Sequence, residues 1–175
     1  TTVAVNASNV TTISSSTLDS VHTLYTSSGV SGLGNEAITV SDSGSIAAST
    51  LSAIAAVNTS GTITATAAAT VTGTAAEIVA SFGNSTITEA SDVAINVNSG
   101  TANLAQARSM DGFTTGTVTA TIEDTRVSDL LGSTPLLDAN DNNAFTITIG
   151  TADAEITAAN LNSLNDLTSV AIEAG

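Results

Sequence analysis

Short runs in which apolar and polar residues alternate punctuate the chain: Val3-Ala4-Val5, Ala37 to Val40, Thr62 to Ala65, Ala94 to Val97, Thr117 to Ala120, Phe145 to Ile149 and Val170 to Ile172. A period of two sends successive side chains to opposite faces, so each run predicts a strand with one apolar face. Counted through Val3, Ile38, Ile63, Ile95, Val118, Ile147 and Val170, the spacings are 35, 25, 32, 23, 29 and 23 residues, so long and short steps alternate. Between the runs the apolar period changes to three or four, at Leu18, Val21 and Leu24 or Tyr25; at Leu51, Ile54 and Val57; at Ala76, Val79 and Phe82; and at Leu161, Leu164 and Leu167. That change predicts a short helix after a strand. Thr74 followed three residues later by Glu77 reads as a capped helix start. Gly61, Gly83, Gly100, Gly116 and Gly132 stand at the exits, where tight turns and left-handed caps are expected.

The pattern also recurs over longer distances. GTITAT at 61–66 returns as GTVTAT at 116–121, an offset of 55, and the block from Ile46 to Ile54 returns from Ile156 to Leu164, an offset of 110. Two agreeing offsets predict superrepeats of approximately 1–60, 61–115 and 116–167 with a closing strand at 168–175, all within one repeat domain spanning 1–175. Helical connections between strands make the strands parallel and the crossovers right-handed. The expected fold is therefore an α/β right-handed solenoid of about six strand-plus-short-helix coils on one parallel sheet, with Val3, Val5, Ile38, Val40, Ile63, Ile95, Val97, Val118, Ile122, Ile147 and Ile149 stacked in its core. An all-β solenoid is the alternative, because TITATAAATVTG has room for two strands.

Composition narrows the partners. Thr, Ala and Ser make up 83 of 175 residues, and aromatic residues only 2%. Two Arg, no Lys and 16 acidic residues leave a net charge of −14, which excludes binding to nucleic acid or anionic lipid through clustered cations and leaves divalent cations as plausible company. Cysteine is absent, which removes disulfides, zinc thiolates and thiol nucleophiles. No apolar run reaches the length of a membrane span, and no charged segment followed by an apolar one opens the chain, so a processed protein or an excised segment is expected.

The phrases TTVAVNASNVTT, SSGVSGLGNEAITVSDSGSIAASTL and TGTVTAT resemble the tandem repeats of very large secreted or cell-surface proteins of marine cyanobacteria. The resemblance covers nearly the whole chain and implies an extracellular or cell-surface location and a scaffold role in surface layers, adhesion or matrix. The spacing of Ile156, Leu161, Leu164, Leu167, Val170 and Ile172 is similar to that of leucine-rich repeats, although only Asn6 and Asn98 stand where that family has its Asn ladder, with Asp42 or Thr66 elsewhere.

Candidate chemistry is thin. His22 is the single histidine; with no Cys and no second His it cannot assemble a His-based zinc site, and Asp19 three residues before it reads as a helix-face neighbour. Glu123-Asp124 and Asp153 with Glu155 are the densest carboxylate pairs, but glycan chemistry also uses aromatic platforms and the chain holds only Tyr25, Phe82, Phe113 and Phe145. Asp138-Ala139-Asn140-Asp141-Asn142-Asn143 offers alternating oxygen side chains suited to calcium, while Asn143 and Ile149 occupy the places of the Gly and Glu of an EF-hand loop. The region from Ile122 to Asn143, with Arg126 and Pro135, is the least regular and the first place to look for a localised function. Thr62/Thr64/Thr66, Thr117/Thr119/Thr121 and Thr146/Thr148 suggest ranks of threonine like those of ice-binding faces, interrupted by other residues. Sequons stand at Asn6, Asn9, Asn58 and Asn84.

The reading that follows is a non-enzymatic structural repeat module of an extracellular or cell-surface protein, with no resident cofactor, calcium being possible. Its ends would associate with further copies, or continue into further repeats, as a stalk, fibre or surface layer. The alternative is an adhesive or ligand-binding module that holds glycan or calcium on its sheet face or acidic loops.

Overall fold

The computed structural model describes residues 4–123, 126–132, 143–150, 153, 155–166 and 168–174. Its first half runs β1 (Val5–Asn6), β2 (Thr12–Ser16), α1 (Leu18–Thr26), β3 (Val30–Ser31), β4 (Ala37–Val40), β5 (Ser45–Ala47), α2 (Ala48–Val57), β6 (Ile63–Ala65), β7 (Thr70–Gly73) and α3 (Ala75–Phe82). The second half runs β8 (Ile87–Glu89), β9 (Ala94–Val97), α4 (Leu104–Phe113), β10 (Val118–Thr121), α5 (Val127–Leu130), β11 (Ala144–Thr146), β12 (Thr148–Ile149), α6 (Ala158–Asn165) and β13 (Glu173–Ala174).

The strands sort into separate sheets, all of them parallel. One has four strands in the order β2-β4-β6-β8, another five in the order β11-β10-β9-β7-β5, and β1-β3 and β12-β13 form two-stranded pairs. Between β4 and β6 the chain passes through β5 of the other large sheet and then through α2, and the step from β6 to β8 through β7 and α3 is alike. Such a crossover is what parallel pairing requires. The paired residues lie 23 to 25 apart in sequence: Ile38 pairs with Ile63, Ile63 with Ile87, Val71 with Ile95 and Ile95 with Val118. Helices α1 to α4 pack each on the next. Ile38 and Ile63 from one sheet, Val71 and Ile95 from the other, and Leu51, Ile54 and Ile78 from the helices meet in one continuous core that reaches from Leu18 to Leu164.

These findings overturn the single-sheet solenoid of six coils. The alternating runs belong to different sheets: Ile38 and Ile63 lie in the four-stranded sheet, whereas Ile95 and Val118 lie in the five-stranded one. The 32-residue step between Ile63 and Ile95 is thus a change of sheet, with β8 between them. The repeated hexapeptide does not mark a repeated position either, since GTITAT supplies β6 of one sheet and GTVTAT supplies β10 of the other. Two strands of different sheets accompany α2 and α3, where the leucine-rich pattern has one, so that likeness also fails. The all-β alternative is excluded by the helices, although TITATAAATVTG does hold two strands, β6 and β7. In place of an elongated filament-forming or surface-layer module, the chain folds as one compact α/β domain around a shared core.

Local readings fare unevenly. Ala37–Val40 and Ala94–Val97 are strands with the expected bounds, and Thr74 caps α3 in a reciprocal box with Glu77. The buried stripe of α3 is Ala75, Ile78 and Ser81, however, one position off the expected Ala76, Val79 and Phe82. Of the five exit glycines, only Gly100 has a positive φ, of 75°. Gly61 and Gly116 are there for space: a Cβ on Gly61 would stand 2.1 Å from the Glu36 carbonyl oxygen, and one on Gly116 would stand 2.4 Å from that of Asp92.

Candidate functional site

The residues singled out by sequence do not converge. Asp19 and His22 lie on α1, the former exposed and the latter half-buried. Glu123 and Glu155 are exposed, Asp124 lies outside the described residues, and the Asp153 carboxylate accepts the Val127 N–H at 2.9 Å, serving the start of α5. Asp138 to Asn142 and Pro135 also lie outside the described residues, whereas Asn143 is buried. Among the described residues, no group of three or more His, Cys, Asp or Glu side chains is placed to hold a metal ion, and no helix is long and apolar enough to cross a membrane. The threonines divide between sheets: Thr39, Thr64 and Thr88 align across β4, β6 and β8, whereas Thr119 stands between Asn96 and Ala144 in the other sheet. The sequons divide too. Asn6 and Asn9 are exposed, Asn84 accepts from the N–H and hydroxyl of Thr86, and Asn58 is fully buried.

Two buried amides, singled out in the sequence as a sequon and as part of a calcium-type loop, instead hold the fold together. Asn58 accepts the Glu36 N–H at 3.0 Å and donates to the Glu36 carbonyl at 2.9 Å, so one side chain satisfies both backbone groups of a residue 22 positions earlier. Asn143 accepts the Val118 N–H at 2.8 Å and donates to Asp111 at 2.6 Å. The Glu36 carboxylate is itself buried and accepts from the Tyr25 hydroxyl and the N–H groups of Gly34 and Asn35. Burial raises its pKa, but these hydrogen bonds outweigh that and hold it below the usual carboxylate range. The phenol of Tyr25 is pushed upward, first by burial and then by Glu36. With three donors converging on Oε2 of this buried carboxylate, the cluster reads as structural.

A different set of residues forms a cleft of about 390 Å³ between the ends of α3 and α4 and the outer end of β8. The capping boxes of Thr74 with Glu77 and Asn103 with Gln106 fix where the two helices begin, and therefore where Phe82 and Phe113 fall at their last positions. The two rings stack with centroids 5.2 Å apart and planes 10° from parallel. Thr114 and Thr115 tie the end of α4 to the β8–β9 turn, the Thr115 N–H reaching the Ser91 carbonyl at 2.8 Å and the Thr114 hydroxyl the Val93 carbonyl at 2.6 Å. Glu89, the last residue of β8, completes the wall and accepts from the buried Ser81 hydroxyl at 3.2 Å. Burial pushes the Glu89 carboxyl above the usual carboxylate range, against the opposing pull of Ser81 and its own backbone N–H.

Aromatic walls with one desolvated carboxyl give a concave site both an apolar surface and a directional polar group. Two other concavities among the described residues lack that pairing. The one lined by Ile149, Leu161, Asn162 and Ile172 carries no titratable side chain, and in the one beside Leu18 the Asp42 carboxylate already accepts the Leu18 N–H at 2.7 Å. Phe82 was legible in the sequence as a helix-face residue, but nothing in the spacing paired it with Phe113 or Glu89.

No family model, curated protein or solved structure matches this chain. The resemblance to cyanobacterial surface repeats is corrected by the fold: the repeated hexapeptide lies in different sheets of one compact α/β domain.

Proposed function

We propose that this chain is a binding module, not an enzyme, and that its ligand sits in the Phe82–Glu89–Phe113 cleft. The observation that carries this reading is the joining of two of the four aromatic residues with a half-buried carboxyl in one concavity. Among the described residues Glu89 is the one titratable side chain lining the cleft, while acid–base or nucleophilic catalysis calls for a second group within reach of the first. Ring stacking and the Thr114 and Thr115 bonds to the neighbouring turn hold the walls in place before a ligand arrives, which lowers the ordering cost of binding. A screen of small polar and charged compounds by NMR, on protein with isotope-labelled phenylalanine, tests the reading. Ring signals of Phe82 and Phe113 should move saturably with at least one compound class, and the same compound should leave Phe145, in the core, unmoved. Perturbations confined to other surfaces, or none from any class, would overturn it.

A further inference from the structure

The cleft has a chemical preference, and this step rests on the cleft being a binding site at all. We propose that it takes an organic cation, an alkylammonium group packed against the Phe82–Phe113 ring pair with its charge on the Glu89 carboxylate. Three independent observations converge. First, Glu89 has no ion-pair partner among the described residues; its carboxylate receives the Ser81 hydroxyl and its own backbone N–H, which leaves acceptor capacity facing the cleft. Second, each stacked ring keeps an outer face whose π-electrons attract a cation that also brings apolar carbon, as an alkylammonium does. Third, the chain carries two Arg, no Lys and a net charge of −14, which favours a cation over an anion in a cleft whose charged lining residue is Glu89.

A sugar fits these walls less well. A pyranose brings several hydroxyls that each need a partner, and the polar side chains lining this wall are Thr88, Glu89 and Ser91. A bare metal ion fits less well still, because it asks for several oxygen ligands and would gain nothing from the rings. The volume of about 390 Å³ suits a small amine or a single lysine side chain presented by a partner.

Choline and its neutral isostere 3,3-dimethylbutan-1-ol separate charge from shape. Titrated at constant ionic strength into protein with labelled phenylalanine, choline should shift the Phe82 and Phe113 rings at concentrations at least tenfold lower than the alcohol. Glu89→Gln keeps an acceptor for Ser81 and should weaken choline at least tenfold while leaving the alcohol unchanged; Phe113→Leu should weaken both. A peptide pair, acetyl-Gly-Lys-Gly-amide against acetyl-Gly-Met-Gly-amide, distinguishes the source: tighter binding of the lysine peptide than of choline assigns the cation to a protein partner, and the reverse order assigns it to a free amine. Equal binding of choline and the alcohol, or of choline to wild type and Glu89→Gln, overturns the cation assignment while the binding reading stands. A response to glucose alone does the same. Silence of both rings towards every probe overturns both.

Discussion

Single side chains in this protein do work usually spread over several. The Asn58 amide satisfies both the N–H and the C=O of Glu36, and Gly61 leaves the room in which that amide lies, since a Cβ there would stand 2.4 Å from it. Asn58→Ala would strand two backbone groups in the interior, at about 1–3 kcal/mol for each unsatisfied group. Gly61→Ala would force backbone apart and is expected to cost about 1–3 kcal/mol, or more if the chain cannot yield. Urea unfolding monitored by circular dichroism checks both; midpoints within error of wild type would show that the Asn58 bridge contributes nothing. The two perturbed glutamates give opposite pH signatures. Glu36 is lowered on folding, so its contribution is present above the unfolded value of about 4.3 and is lost as pH falls through the folded one. Glu89 is raised, so the folded state loses stability as pH climbs from the unfolded value through the folded one. At pH 7, Glu36→Gln should be less stable than wild type and Glu89→Gln more stable, with both differences shrinking towards pH 3. Urea midpoints across that range test the two signs together.

At the scale of elements, what the sequence announces is what short-range chemistry controls. The Thr74–Glu77 box and the strands at Ala37–Val40 and Ala94–Val97 follow from a cap and from alternation within a few residues. Elements that went unread have little apolar signal of their own. β2, β5, β7 and β8 each bring a single branched aliphatic residue (Ile13, Ile46, Val71, Ile87) among Ser, Thr, Gly, Ala and Glu, too few positions for alternation to show. Helix α4 buries Ala107 and Met110 in a segment crowded with polar residues, so its period is faint. The cleft falls in the same gap: two of its walls, β8 and α4, are elements the pattern does not announce, and its rings meet only through packing of α3 on α4. Since the caps set where those helices begin, removing one has a measurable result. Thr74→Ala should cost about 1 kcal/mol by urea unfolding, and should also broaden the Phe82 ring signal as the end of α3 loses its fixed position. An unchanged midpoint with an unchanged ring signal would show that packing alone sets the helix.

For the whole molecule, the assignment of a strand to its sheet is a long-range property. Gly61 to Thr66 and Gly116 to Thr121 differ at one position, Ile63 against Val118, yet join different sheets, because the strands waiting beside them differ. A reading that treats like segments as like positions is led to a repeat of 55 residues, whereas pairing in space joins residues 23 to 25 apart. That separation has a kinetic meaning. Among the described residues no strand pair forms by a local hairpin and none joins the two ends of the chain; each closes a loop of about a seventh of the chain, more distant than the contacts of a helical bundle. Stopped-flow refolding should show a main phase on the scale of milliseconds. A main phase of many seconds would mean that closing one of these loops, and not collapse onto the shared core, limits how fast the domain can form.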